Sequence, residues 1–333
     1  MKASELEKLL RTSIPAKQRV LIKGEPGIGK SDIVAKVCKE VGADLIIQHP
    51  AVSDPTDFKG MPALTKGGAE FLPFGDLRRL IDAERLTVCF QDDIGQAAPS
   101  VQAALMQLNQ ARQVNGHKSS DHVVFLGATN DTKHAAGVSG MIEPLKSRWD
   151  AIVELNVNLD DWIDWAIAHD VSSEIVAFIR FRPSLLSDFK PTKELTNSPS
   201  PRTWAAVARW FKLGVTSLEV MEGAIGKGAA SEFAAFLGLL KKCPDLDDII
   251  AHPDKASVPS EPALQYAVTC GLARKATVEN FKAVMTYFAR LGGEFEIYGM
   301  KDAVRSNQAL ASNPLFCSWI TKNAKFMSSG ATA

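Results

Sequence analysis

The sequence predicts an α/β domain followed by an all-helical region. Up to about Asn156, short apolar stretches alternate with segments of helical spacing. Beyond that point the strand signal stops and only helical spacing continues. Short apolar strands separated by helices argue for a parallel sheet covered on both faces.

Each element has its own signal. Ser4-Glu5-Leu6-Glu7 has the capping-box pattern that opens a helix. Arg19–Lys23 is a compact apolar strand. Lys30–Val41 has helical periodicity, with Gly42 placed to end it. Further strands are expected at Asp44–Gln48, Leu86–Gln91, Val123–Leu126 and Ile152–Leu155, and helices at Asp76–Ala83, Ser100–Gln110 and Met141–Ser147. In the second region Asp160–His169, Ser173–Phe181, Thr203–Leu213, Glu232–Lys242, Ala263–Leu272 and Val278–Leu291 all have helical spacing. Two Pro-rich loops, Arg182–Pro201 and Pro244–Pro262, interrupt them, and the terminal SSGATA is expected to fray.

Composition bounds the class. A chain of 333 residues suggests about two domains. At 46% hydrophobic and 23% charged it can fill a core, which excludes a disordered polymer. Lys+Arg and Asp+Glu are both 38, so no overall field draws the protein to nucleic acid or to anionic lipid. Apolar stretches such as Phe233–Leu240 fall far short of the roughly 20 residues a membrane helix needs. The N-terminal MKASELEKLLR has no hydrophobic signal core, so a cytoplasmic protein is expected. The five cysteines are scattered without a CxxC pair and read as buried free thiols of a reducing compartment. The histidines show no paired-ligand spacing. Trp162, Trp165, Trp204 and Trp210 sit at helical spacing and read as packing residues.

The chemistry begins at Gly24-Glu25-Pro26-Gly27-Ile28-Gly29-Lys30-Ser31, which fits G-x-x-x-x-G-K-[ST] between a predicted strand and a predicted helix. Glycines let the backbone wrap closely around phosphates and aim N–H groups inward. The helix that follows adds its positive end. Lys30 is placed to reach β- and γ-phosphates, and Ser31 to bind Mg²⁺. Thr87–Asp93 is an apolar strand ending in two acids. Asp92 is placed to hold Mg²⁺ and Asp93 to orient the attacking water. Val123–Leu126 leads into Gly127-Ala128-Thr129-Asn130, where Asn130 is either a group that meets the water or γ-phosphate, or a turn residue. Arg148 precedes the last strand and Arg202 opens a helix, a position poorly matched to the macrodipole. Gln48 or His49 ends its strand either as a contact of Asp93 or as a plain strand end.

As an ordered set these segments resemble an AAA+ ATPase of the MoxR-like branch, over roughly Ile14 to Phe211. GEPGIGKS resembles Walker A, CFQDDIGQAAPSVQAALMQL the Walker B segment, GATN sensor 1, EPLKSRWD the arginine-finger segment and SPRTW the start of sensor 2. DPTDFKG resembles the turn after the second strand. The resemblance implies a five-stranded αβα core over 1–156, a helical lid over 157–243, and a helical extension over 244–333. It implies ATP and Mg²⁺ bound between subunits of a homo-oligomeric, usually hexameric, ring. Arg148 would act in the neighbouring site and Arg202 would touch the nucleotide from the lid. It further implies remodelling or activation of other proteins, often with a von Willebrand factor A-type partner. Two positions depart from the family pattern. Asp93 stands where Glu is usual, and Gln91 where an apolar residue is usual. Asp93 keeps open a nucleotide-gated scaffold with slow turnover. The finger segment keeps open a nucleic-acid motor or clamp-loader-like ATPase, which neutral charge disfavours.

Overall fold

The computed structural model describes residues 1–130, 140–192 and 194–328. The terminal segment expected to fray lies outside the described residues beyond Ser328. The chain forms two compact units, one essentially Met1–Asn158 and the other beginning at Leu159.

The first unit is built on helices α1 (Ala3–Ser13), α2 (Lys30–Glu40), α3 (Pro55–Lys59), α4 (Gly75–Ile81), α5 (Pro99–Ala111) and α6 (Glu143–Lys146). Its strands are β1 (Val20–Lys23), β2 (Asp44–Gln48), β3 (Met61–Thr65), β4 (Gly68–Leu72), β5 (Thr87–Gln91), β6 (Gln113–Val114), β7 (His117–Lys118), β8 (Val123–Thr129) and β9 (Ala151–Glu154). A five-stranded sheet has the order β2-β5-β8-β1-β9, and its pairings are all parallel. Alternate residues of each strand feed opposite cores, as the period of two requires. Val20, Ile22, Val88, Phe90, Val124 and Leu126 pack with α1 and α2. Leu21 packs with Ile94, Val101, Leu105 and Trp149, while Cys89, Val123 and Phe125 pack with Leu77, Leu80 and Leu108.

Three local differences from the sequence reading have physical reasons. Helix α1 starts one residue before Ser4, because Glu5 rather than Glu7 reaches back: Lys2 N–H donates to Glu5 Oε2 at 3.1 Å. Strand β8 runs on to Thr129, carried past the apolar run by pairing with β1 as far as Lys23↔Thr129. The hairpins β3–β4 and β6–β7 lack the buried alternation that marks a strand; β4 is exposed throughout. A signal for the first hairpin existed in Lys66-Gly67, the two-residue connection between paired Thr65 and Gly68.

The second unit is helical, as expected: α7 (Leu159–Ala168), α8 (Ser173–Phe181), α9 (Pro201–Lys212), α10 (Leu218–Ile225), α11 (Lys227–Leu240), α12 (Leu246–Ala251), α13 (Pro262–Lys275), α14 (Phe281–Leu291), α15 (Gly293–Ser306) and α16 (Pro314–Ser328). Helices α10, α12, α15 and α16 were not expected, and α12 lies inside the second Pro-rich loop. Trp204 is fully buried against Phe178 and Phe233, and its Nε1–H donates to Leu185 O at 2.7 Å. Trp162 is also buried, whereas Trp165 and Trp210 stand partly exposed. Cys38, Cys89 and Cys270 are buried, and desolvation pushes their thiols up, Cys38 to about 11 and Cys270 to about 12. Cys317 is exposed, against the expectation of burial. No helix among the described residues is long and apolar enough to cross a membrane.

Candidate functional site

In a parallel sheet the ligand crevice lies beyond the C-terminal strand ends, beside the strand where chain direction across the sheet reverses. Here that strand is β1, flanked by β8 and β9. The chain leaves β1 at Lys23 and enters the glycine loop. Gly27 and Gly29 have φ of +78° and +91°, left-handed values that a Cβ disfavours. A Cβ on Gly24 would lie 2.8 Å from Leu155 O, so close approach also requires glycine there. Helix α2 begins at Lys30 with no side-chain cap. Its first N–H groups therefore remain available to an anion at the loop.

Three strand ends converge on this loop. Lys30 is buried, and its Nζ donates to Gly24 O at 3.0 Å, Glu25 O at 2.8 Å and Asn130 Oδ1 at 2.8 Å. Ser31 Oγ donates to Asp92 Oδ2 at 2.6 Å. Asn130 Nδ2 in turn donates to Asp93 Oδ1 at 3.1 Å. Thus Lys30, Asn130 and Asp93 form one polar chain, with Ser31 and Asp92 beside it. Asp92 is fixed at its own backbone, whose N–H donates to Gln48 O at 2.9 Å. Asp93 has φ 54° and ψ 33°, the left-handed region that Asp and Asn enter more readily than other non-glycine residues. Gln96 Nε2 also reaches Asp93 Oδ1, at 3.4 Å.

Gln91 finds its partner in the core. It is fully buried and exchanges two amide hydrogen bonds with buried Asn109 of α5, at 2.8 and 2.9 Å. A lone amide at that site would cost about 1–3 kcal/mol, and the reciprocal pair removes that penalty. Gln48 is a plain strand end: its Oε1 accepts from Cys89 Sγ at 3.2 Å instead of turning to Asp93.

Arg148 stands apart from this cluster. Arg148 precedes the N-terminal end of β9, whose Ala151 is paired with Val20 at the start of β1. The phosphate loop leaves the opposite end of β1. A strand of four residues separates the two ends by on the order of 13 Å. Arg202 is exposed at the second position of α9, after Ser200, whose Oγ accepts from Thr203 N–H at 3.2 Å. It belongs to the second unit.

Beside the loop lies a recess of about 240 Å³ that the sequence reading missed, lined by Gly24, Ile28, Leu155 and Val157 among others. No linear spacing links Ile28 to Leu155; the pairing of β1 with β9 brings them together. A larger hollow of about 380 Å³ includes Asp44, Arg79 and Arg85, whose arginines already pair with Asp76 and Asp44. The donor set at the loop fits a magnesium nucleotide. A hydroxyl and a carboxylate already in contact supply the hard oxygen ligands Mg²⁺ prefers. Buried Lys30 supplies positive charge, and Ile28, Leu155 and Val157 give a base apolar contacts in a recess also lined by Glu25, Glu154 and Asn156.

Residues 19–149 match the AAA domain family, dynein-related subfamily, so this part of the chain is an AAA domain of that subfamily. No curated protein matches the chain. Among solved structures, a point mutant of RuvB from Thermotoga maritima is similar at 18% identity, covering 87% of this chain and 88% of that one, with a TM-score of 0.45. The Thermotoga maritima RuvB Holliday junction branch migration motor is similar at 16% identity, covering 87% of each chain, with a TM-score of 0.42.

Proposed function

We propose that this protein binds ATP with Mg²⁺ and hydrolyses it to ADP and phosphate in a homo-oligomeric ring, and that it uses the cycle to remodel or activate partner proteins. The observation that carries the reading is the convergence of Lys30, Ser31, Asp92, Asp93 and Asn130 beyond the C-terminal ends of the central strands β1, β5 and β8, joined by hydrogen bonds of 2.6–3.1 Å.

In this reading the N–H groups of Gly24–Gly29 and the start of α2 cradle the phosphates. Lys30 faces the terminal phosphates, and Ser31 and Asp92 hold the metal. When bound, Mg²⁺ neutralises charge that develops on the β- and γ-phosphates. Asp93 orients the attacking water, and Asn130 holds both Asp93 and Lys30 in place. Ile28, Leu155 and Val157 receive the base. Arg148, at the opposite end of β1 from its own loop, serves the neighbouring subunit. Arg202 contacts the nucleotide from the helical unit. The nucleotide core is 1–156 and the lid 157–243, with 244–333 as an extension. Within the helical unit, α8 of the lid packs against α13 of the extension. A hexamer, a von Willebrand factor A-type partner and a cytoplasmic setting complete the proposal.

Lys30→Ala tests the core of it. The substitution removes the buried charge facing the phosphates. It should abolish tight ATP binding in a nucleotide titration and phosphate release in a multiple-turnover assay. Unchanged affinity would remove Lys30 from its role. Co-purification with hydrolysis blocked by Asp93→Asn then identifies the partner class. A second reading, a slow nucleotide-gated scaffold, is favoured by one feature: Asp93 is short, left-handed, and tied through Oδ1 to Asn130 and Gln96.

A further inference from the structure

Arg148 has little of its own to hold it. Among the described residues its side chain makes one hydrogen bond, from Nη1 to Ser147 Oγ at 2.8 Å, and its Nε is buried without a partner. Its direction is therefore set by the backbone on which it stands, and the next two residues fix that backbone. Trp149 is 7% exposed and packs with Leu21, Val101 and Leu105. Its ring lies against Gly127 of β8 so closely that a Cβ there would meet Cη2 at 2.7 Å and Cζ2 at 2.9 Å. Asp150 is clasped by Arg19: Oδ2 accepts from the backbone N–H at 2.8 Å and from Nε at 3.1 Å, and Oδ1 accepts from Nη2 at 2.6 Å.

Both supports lead back to the phosphate-facing residues. Gly127 lies three residues before Asn130, about 10 Å along one chain segment at the rise of a strand. Asn130 is the group that touches both Lys30 and Asp93. Arg19 also donates through Nη1 to Asn109 O at 3.1 Å, and Asn109 is the amide partner of Gln91, the residue before Asp92. The chain that would face a bound nucleotide in one subunit is thus also the seat of the arginine offered to the next.

We propose that Trp149 on Gly127 and Asp150 on Arg19 are positioning residues that set the reach of Arg148 into the neighbouring subunit's site. This rests on the reading of Arg148 as a group that acts in trans. It explains why Gly127 has no side chain although its backbone is ordinary extended strand: the space a Cβ needs is filled by the indole.

The test compares steady-state ATP hydrolysis and nucleotide affinity for Gly127→Ala, Asp150→Asn, Arg148→Ala and the double variant Gly127→Ala/Trp149→Phe. Pushing the indole off Gly127 displaces Arg148 by on the order of 1 Å, so Gly127→Ala should lower kcat about 10²-fold while nucleotide affinity stays native. Asp150→Asn, whose site is partly solvent-exposed, should shift kcat in the same direction without disturbing the core. The double variant should recover turnover, because Phe lacks the outer ring atoms that collide with the new methyl. Mixing Gly127→Ala subunits with Lys30→Ala subunits should restore activity, since the lesion would lie in the arginine that is donated, not in the subunit's own site. Native turnover of Gly127→Ala beside a slow Arg148→Ala would overturn the positioning role alone. Lost affinity with no recovery on mixing would overturn it too, placing the damage in the subunit's own site. Native turnover of Arg148→Ala would overturn the trans reading and the positioning role together.

Discussion

At Asp93 the carboxylate is one methylene shorter than the glutamate usual in the family that the motifs resemble. A carboxylate orients water only within about 2.6–3.2 Å. Shortening the side chain withdraws its oxygen by roughly one carbon–carbon bond, ~1.5 Å. The residue stands in a left-handed turn, φ 54°, directly after β5, which is buried along its whole length and leaves the strand little room to shift. Asn is among the residues that tolerate this left-handed region, so Asp93→Asn removes the charge without adding strain. It should retain ATP binding and stop hydrolysis in a phosphate-release assay; native turnover would show that another group activates the water. Asp93→Glu should bind ATP normally and match or exceed the native rate. Strong impairment there would mean that the turn has adapted to the shorter side chain. At Gln91 the polar departure has a structural cause, the reciprocal amide pair with Asn109, and needs no catalytic one. Sequence alone could flag both positions as departures. It could not supply Asn109, which lies on a separate helix.

Among elements, the pairing of β8 with β1 matters most for the site, because it carries the chain to Asn130. In the helical unit the contact of α8 with α15 is held by a buried ion pair. Arg180 Nη2 lies 2.8 Å from both oxygens of Asp302, and each residue is under 5% exposed. The guanidinium also stacks over the Tyr298 ring at 4.5 Å, and Arg305 Nη1 donates to Asp302 Oδ1 at 3.0 Å. Removing one member of such a pair leaves an uncompensated buried charge, at a cost of about 3–5 kcal/mol, whereas replacing both with apolar residues is often neutral or stabilising. Asp302→Ala should therefore lower the denaturation midpoint of the helical unit sharply, and Arg180→Met/Asp302→Leu should recover most of the loss. Equal loss in both, followed by circular dichroism in denaturant, would show that packing rather than charge dominates there. Helical spacing located α8, but nothing in it named Asp302 as the partner, because a separation of 122 residues carries no periodicity.

For the whole molecule, the decisive expectation is that the active site is shared between copies. Arg148→Ala should keep ATP binding and lower turnover by ~10³-fold or more, the contribution an arginine finger makes. Mixed with Lys30→Ala subunits it should regain activity, because a mixed interface can pair an intact loop with an intact arginine; no recovery in mixed assemblies shown to form would place Arg148 in its own subunit's chemistry. The sequence by itself determined the parallel α/β core, the helical second half, the phosphate loop and the acids at the end of β5. Those features are written in local spacing: a period of two or 3.6, glycines at fixed offsets, charges at a strand end. Tertiary structure alone decided the remainder. It set Asn130 between Lys30 and Asp93, gave Gln91 its amide partner, opened the recess between Ile28 and Leu155, and seated Trp149 on Gly127. The physical reason is that each of these depends on which strands become neighbours. Strand order is fixed by burying both faces of the sheet at once, and no single segment encodes that condition.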